Sequence, residues 1–443
     1  MSELAGDRGD AWAGPVSGRR QVAREVPTDG VLTRRARPDP ATAARVAWLE
    51  RFYDLVFVAS VGRFASELGT TPDLAHTLSV LGWLTGLWVA WFLVSLRLNR
   101  FPDEGWLTRG IVVAQLLATT VAVAAAVSAT RNDDLGGMVA TAALGLGISA
   151  LYLTIPRRDA ADRHLVVVPV VGSAGMAAVV LVSLVLPRAV AVTLGSAVGL
   201  AFGTVVFGWY LPRLARNRPV EPRHAGDRHG QLFLVLMGLS FLKVAFATDP
   251  KHGVEYPVVI GAFAAGFALW SVYVDGVLPL GFPVRAGPQR SWLIAQLGLA
   301  LGVTVAAVTA LPPSTAGTVT ITGAVLEGGA LAAVMAAFAV LAVTAQRPAP
   351  QLACARCGAA AAIAAVTAAA IVAGKLPDRT FSAALATLVV AAAAVDGLLR
   401  WRHRRAARHH RVRPAWPVPA AALAPSLREI TPCRGRPVTP KDG

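Results

Sequence analysis

Acidic residues are scarce in this sequence, and charge of either sign is thin. Of 443 residues, 26 are Asp or Glu, 42 are Lys or Arg, and charged residues make up only 15%. Soluble domains carry about a quarter of their residues as charge. A chain that is 55% hydrophobic with a mean hydropathy of +0.54 falls outside that class. Three cysteines, Cys354, Cys357 and Cys433, are too few and too clustered for a disulfide framework. One C-x-x-C pair with no second pair at ligand spacing is a weak zinc signal, so no metal or other cofactor is expected. The signatures G-x-S-x-G, Walker A, H-E-x-x-H and the dinucleotide fingerprint are also missing, which leaves a membrane enzyme without such a signature open. No cleavable leader is expected either, because the arginines from Arg8 to Arg45 have no apolar run behind the first of them.

What the chain has in abundance is long apolar runs. A membrane-crossing helix needs about twenty apolar residues, and the hydrophobic content suffices for about twelve. Runs lie near residues 52–68, 74–96, 107–128, 136–156, 165–187 and 189–211, and again near 231–247, 257–280, 292–311, 318–345, 353–374 and 380–399. Continuous runs without alternation favour helices over a closed barrel. The expected fold is therefore all-α, a polytopic transmembrane helical bundle of about twelve spans. Residues 1–47 form a disordered basic tail, 48–211 a first membrane half, 212–230 a basic loop, 231–399 a second half and 400–443 a second basic tail.

Loop charge sets the orientation. Connections after even-numbered runs hold 13 Lys or Arg, from Arg97 and Arg100 through Arg213–Arg228 to Arg347, whereas those after odd-numbered runs hold 5. The positive-inside rule then places both tails in the cytoplasm. Trp48, Trp106, Trp209, Trp292 and Trp401 fall at the matching ends of their runs, where amphipathic rings favour the headgroup layer. Arg and His density after Arg400 suits nucleic acid or metal on composition alone. Anionic lipid headgroups are the better partner, at about 1 kcal/mol per basic residue near the surface.

The two halves carry an internal repeat. Glu50-Arg51 recurs as Asp227-Arg228 at an offset of 177, and Trp91 matches Trp270 at 179. Arg109 with Ala114-Gln115-Leu116 matches Arg290 with Ala295-Gln296-Leu297 at 181. Six runs per half is an even number, so the halves share one orientation in a 6+6 parallel repeat, related by an axis along the membrane normal. Gly145, Gly147 and the pair Gly195 and Gly199 are close-packing positions between helices rather than ligand loops.

The stretch Leu49-Glu50-Arg51-Phe52-Tyr53-Asp54-Leu55-Val56-Phe57-Val58 resembles the opening signature of the bacterial low temperature requirement A (LtrA) family, with its acid, two aromatics, Asp and Leu-Val-Phe-Val. The resemblance continues through Arg97, Asn99, Arg100, Phe101, Asp103, Glu104 and Arg109. It takes in His224, Asp227, Arg228, His229, Gly230, Leu236, Gly238 and Ser240, then Trp270, Tyr273 and Asp275. Three departures mark a divergent member. Leu239 stands where the family usually has an acid, Gln296 where a histidine is common, and Arg63 where a glutamine is typical. The resemblance implies an integral membrane protein linked to growth in the cold, and supplies neither a reaction nor a substrate.

Ionisable groups at mid-bilayer cost at least about 2.5–3.5 kcal/mol and need a partner, a cavity or an exit to the interface. Asp54, Asp275 and Asp396 lie near span ends, where headgroup water and loop arginines satisfy them, and Asp54 is placed to pair with Arg97 or Arg109. Arg63, Lys243 and Glu327 sit about 14–18 Å deep at 1.5 Å per residue. In one reading they are structural, Arg63 paired with Glu67 and Lys243 with Glu327. In the other, Arg63 and Lys243 face a shared cavity with Gln115 and Gln296 and bind a substrate anion. The activity expected is transport of a small polar or anionic solute. The alternatives are a non-transporting membrane protein acting through lipid or protein contacts, and an intramembrane lipid-headgroup enzyme using Asp54. The loop charges make one direct prediction: cysteines placed in either tail or between Arg213 and Arg228 resist an impermeant thiol reagent in intact cells, and labelling of either tail overturns the orientation.

Overall fold

The computed structural model describes residues 40–68, 74–100, 105–128, 135–155, 160–187, 201–213, 221–246, 256–309, 320–374 and 377–411, with isolated residues between 190 and 198. Every regular element among them is helical. In chain order these are α1 (Pro40–Leu68), α2 (Leu74–Arg100), α3 (Trp106–Ser128), α4 (Leu135–Leu153) and α5 (Ala160–Val182). A helical stretch over 201–213, wound as a π turn at Val206–Tyr210, is α6. Then come α7 (Pro222–Phe246), α8 (Tyr256–Gly276), α9 (Ala286–Thr309), α10 (Ile321–Thr344), α11 (Pro350–Ala373) and α12 (Asp378–Arg411).

Local chemistry sets several of these ends. Thr320 caps α10 by accepting from the Gly323 N–H at 3.0 Å. Pro350 opens α11, where a missing N–H costs nothing, and Gly374 closes it at φ +64°. Gly281, at φ +79°, turns the chain between α8 and α9. There the backbone pairs with the segment after α10, through Gln346 N–H to Gly281 O at 3.0 Å and Arg347 N–H to Leu280 O at 2.9 Å.

Seven of the described helices are long and apolar enough to cross a membrane: α2, α3, α8, α9, α10, α11 and α12. That is fewer than the twelve spans expected. Helices α4 and α5 contain shorter apolar stretches, Met138–Leu153 and Val166–Val182. Helices α1 and α7 carry Glu50, Arg51, Asp54 and Arg63, and Arg223, His224, Asp227 and Arg228, which dilute their hydropathy. The sixth run begins among residues outside the description. The surface is inverted relative to a soluble protein. Val113, Leu117 and Val121 of α3 and Ile260, Phe263 and Phe267 of α8 point outward, whereas Glu50, Asp54, Arg97, Arg228, Arg356 and Asp396 are buried. An apolar outside with a polar inside is what a hydrocarbon solvent selects.

At the centre, α1 packs on α2, α3, α7 and α9. To one side α3, α4 and α5 follow in a row, and to the other α9, α10, α11 and α12 do so, with α12 returning to α8. Small residues set the closest approaches. A Cβ on Gly145 of α4 would meet the Ser173 carbonyl oxygen of α5 at 2.7 Å, and one on Gly147 would meet the Gln115 side chain of α3 at 2.6 Å. Both glycines are thus close-packing positions, whereas Gly195 and Gly199 lie outside the described residues.

Charged and polar side chains tie the helices together at one end of the bundle. Arg97 of α2 reaches α4, donating to Thr154 Oγ1 at 2.8 Å and the Leu151 carbonyl at 3.3 Å, and Tyr152 returns a bond to the Leu93 carbonyl at 2.9 Å. Arg356 of α11 spans three neighbours. It donates to Asp396 of α12 at 2.9 and 3.3 Å, to the Phe338 carbonyl of α10 at 2.9 Å and to the Gly276 carbonyl of α8 at 3.2 Å. Both ions are 1% exposed, so the acid at Asp396 is satisfied by a buried arginine rather than by headgroup water and a loop. Asp275, by contrast, is exposed and 4.0 Å from Arg400, as a span-end acid should be. Replacing Arg356 by Met leaves Asp396 with Arg400 alone, 3.4 Å away. A cost of about 3–5 kcal/mol is expected for breaking such a buried pair. It should be read as a large drop in the thermal midpoint of the detergent-solubilised protein, with most of it recovered in the double variant Arg356→Met/Asp396→Leu.

Candidate functional site

The middle of α1, around Glu50 and Asp54, meets the start of α7 and the last turns of α2, and there a cluster of ionisable groups is buried. Arg228 of α7 lies between two acids of α1. Its Nη2 donates to Asp54 Oδ1 at 2.9 Å and to Ser95 Oγ of α2 at 2.8 Å, while its Nη1 stands 3.0 Å from Glu50 Oε2. The Nη1 contact is one of charge rather than a directed hydrogen bond, since that nitrogen is not aligned on the carboxylate. Trp91 of α2 completes the group by donating its indole N–H to Asp54 Oδ1 at 2.7 Å. The acids are four residues apart on one helical face, which is why a single guanidinium reaches both. The partner of Asp54 is thus Arg228, not Arg97 or Arg109. Arg97 is turned to α4, and Arg109 is exposed on α3.

His224, one helical turn before Arg228, closes the open side of the group with Nε2 3.3 Å from Glu50 Oε2 and a side chain 36% exposed. Burial acts to raise the Glu50 carboxyl, but the His224 hydrogen bond and the charges of Arg228 and His224 outweigh it and hold the group below its usual value. The same hydrogen bond lifts the His224 imidazole above its usual value against the opposing effect of burial. Two oxygens of the group, Glu50 Oε1 and Asp54 Oδ2, are buried with no hydrogen-bond donor on them. Behind them His229 Nδ1 is 2.8 Å from the Ala225 carbonyl, so Nδ1 carries the proton and Nε2 is a bare acceptor held in an aromatic box of Trp91, Trp292 and Phe282.

An open pocket of about 410 Å³ adjoins this box. Glu221, Arg223 and Asp227 line it from α7, Leu278, Gly281 and Phe282 from the α8–α9 turn, and Trp292 and Gln346 from α9 and the segment after α10. Trp292 is 2% exposed and packs edge-on to His229, so it is a wall of the core rather than the interfacial ring its place in the sequence suggested. Trp106, Trp209 and Trp401 are exposed as expected, with Arg213 stacked 3.9 Å over Trp209.

The other residues singled out in the sequence do not join this group. Arg63 is exposed on α1, and the side chains of Lys243 and Glu67 lie outside the described residues. Gln115 is buried between α3 and α4 with both amide atoms unpartnered, whereas Gln296 donates to the Tyr273 hydroxyl at 3.2 Å between α9 and α8. The two glutamines occupy separate interfaces. Glu327 accepts from Ser382 Oγ of α12 at 3.0 Å. Asn99 and Arg100 are half-buried at the end of α2, Asp103 lies outside the described residues, Asp227 and Gly238 are exposed, and Trp270 stacks on Phe267. Leu239, at the position of the family's missing acid, lies against Gly62 of α1 close enough that a Cβ there would meet its Cδ1 at 2.9 Å.

Sequence reasoning missed the Glu50–Arg228 contact and the Arg356–Asp396 pair. The first carried a signal, because the sequence reading set Glu50-Arg51 beside Asp227-Arg228, and the acid of the first pair meets the arginine of the second. The second had none, since Arg356 reads as a loop-proximal cation beside a run of alanines.

Comparison with known proteins agrees with the opening motif on which the site is built. Searches of curated proteins and of solved structures give no match. Residues 45–418, which include all the charged residues placed above, match the family described as bacterial low temperature requirement A protein (LtrA). This chain, whose first and seventh helices are joined through Glu50, Asp54 and Arg228, therefore belongs to the bacterial low temperature requirement A family.

Proposed function

We propose that this protein carries a small polar or anionic solute across the cell membrane, as twelve spans in two similar halves with both termini in the cytoplasm, and that it supports growth in the cold. The observation that carries the transport reading is the charged group joining α1 to α7, the first helix of each half. Buried ions in a membrane bundle are costly and mark ion and substrate paths. A bundle that served only as a lipid-facing scaffold would be as stable or more so with apolar residues there.

Packing supports the two-halves part. Helix α1 packs on α2 and α3 as α7 packs on α8 and α9. The rows α3–α4–α5 and α9–α10–α11 correspond, and α2 touches α4 as α8 touches α10. In transporters built from repeats, binding and movement occur at the joint between them. The pocket beside the joint has both signs of charge and two aromatic walls, which suits a small polar solute entering from the end where Arg213–Arg228 lies. The anionic class rests on Arg63 and Lys243 as candidate contacts deeper in the membrane, without Gln115 and Gln296, which lie in separate interfaces.

One observation favours a non-transporting protein. The middle of the bundle is packed with Phe57, Val61, Leu84, Trp88 and Leu236, leaving a space of about 10 Å³. That is no more than a single water requires. A protein that works through lipid or protein contacts needs no passage, whereas a transporter must open here. Solute flux in purified proteoliposomes separates the two. Flux is expected for a small polar or anionic solute, with Asp54→Asn lowering it at least about tenfold at unchanged folded yield, the loss of about 1.4 kcal/mol in transition-state stabilisation. No flux across a panel of such solutes sinks transport. Deleting the gene is expected to slow growth more in the cold than at ordinary temperature, and equal relative growth at both temperatures removes the cold link.

A further inference from the structure

We infer that Glu50, Asp54, His224 and Arg228 form a binding site for one exchangeable proton, reached from the end of the bundle through His224. The argument starts from charge. With both acids ionised and His224 neutral, Glu50, Asp54 and Arg228 sum to one net negative charge in a region where each side chain is at most 6% exposed. An uncompensated buried charge is expensive, and one added proton removes it. A second proton would create a net positive charge, so the group's capacity near neutrality is one.

The group is not internally satisfied, since Arg228 Nε and Nη1 lack an acceptor and two acid oxygens lack a donor. Glu50 Oε1 and Asp54 Oδ2 are buried acceptors with no donor, in residues 2% and 3% exposed, so each has a vacant position for a hydrogen. Arg228 already fills the space between the acids, and the neighbouring pocket is lined by Glu221, Arg223 and Asp227 rather than by Glu50 or Asp54. A proton needs no chamber, whereas a metal cation needs several oxygen ligands around it. His224 supplies the path. It is the partly exposed member, and its Nε2 faces Glu50 Oε2. Water delivers a proton to the ring at Nδ1, leaving an imidazolium whose Nε2–H faces the Glu50 carboxylate, and the return step gives the same proton back to water, so each transfer moves one proton and no electrons. Because the members interact strongly, they titrate as a unit rather than singly.

The charged groups acting on the two acids are Arg228 and His224 of α7, with Glu50 also acting on Asp54, and Glu221 acts on His224. Helix α2 brings Trp91 and Ser95, α3 has Arg109 exposed, and α9 has neutral Gln289 and exposed Arg290. His224 is raised by its bond to Glu50. A raised value means that the proton is bound, and its stabilisation present, at pH below the ordinary imidazole value, and that both are lost as pH rises through the folded value.

Whether this proton is the coupling ion rests on the transport reading, but the site does not. The test uses the full-length protein with ¹⁵N-labelled histidine in lipid nanodiscs, the His224 resonance assigned by its loss in His224→Gln. Its titration midpoint is expected above the ordinary value of 6.5. It should fall by about one unit in Glu50→Gln, a tenfold loss of proton affinity, and by less in Asp54→Asn, which keeps an oxygen for Trp91 and Arg228. If Glu50→Gln fails to fold, the Asp54→Asn shift carries the same decision. A wild-type midpoint at or below 6.5, or one unchanged in the variants, overturns the site. So does a midpoint that drops when sodium replaces choline at constant ionic strength, which would identify a metal cation as the occupant. A pH gradient imposed on proteoliposomes distinguishes the two ideas. Normal titration without solute flux removes transport and leaves the site, whereas gradient-driven flux with no shifted titration removes the site and leaves transport.

Discussion

A single guanidinium shared by two carboxylates is the constraint around which the centre of this bundle is arranged. Arg228 reaches Glu50 and Asp54 only if the start of α7 lies level with the middle of α1, and the bond to Ser95 and the indole N–H of Trp91 add α2 to the same junction. In a hydrocarbon surround, apolar packing between helices has no hydrophobic driving force, because lipid chains are as apolar as leucine. Directed polar contacts then specify which helices are neighbours and at what height. The Arg356–Asp396 pair does the same for α8, α10, α11 and α12, and Arg97 does so for α2 and α4. All three arginines lie at the same end, and neutral or singly charged contacts such as Gln296–Tyr273 and Ser382–Glu327 add directed bonds elsewhere.

Further along α1 and α7, Gly62 and Leu239 make a close apolar contact. Leu239 is instructive. An acid at that position would face Gly62 at close range, and leucine replaces a charge requirement with a steric one. The α1–α7 contact thus has a polar tie at Arg228 and a contact of side-chain shape at Gly62 and Leu239.

Much of the fold was legible in the sequence because a helix in a bilayer leaves a long apolar run, and α2, α3 and α8–α12 lie where such runs were found. The helices carrying the chemistry were the faintest, because Glu50, Asp54, His224 and Arg228 reduce the hydropathy of α1 and α7. The site was half-legible. Its residues were flagged by the family pattern, but Asp54 was assigned to Arg97 or Arg109, whereas its partner is 174 residues away. Periodicity and spacing report neighbours on one helix. They carry no information about which helix lies alongside. Burial of Trp292 was missed for a related reason, since its position at a run end says nothing of the His229 and Phe282 rings that cover it.

Helix α12 has 34 residues, about 51 Å at 1.5 Å per residue. The hydrocarbon layer is about 30 Å thick. Even a tilted α12 must stand proud of it, and the part that does so is fixed by composition, since Arg400, Arg402, Arg404 and Arg405 occupy its last described turns. Because Arg400 also holds Asp396, Asp275 and the Ser271 carbonyl, that overhang is rigidly joined to the bundle. The helix is therefore longer than a hydrocarbon layer is thick, and its basic residues occupy the part that reaches beyond it.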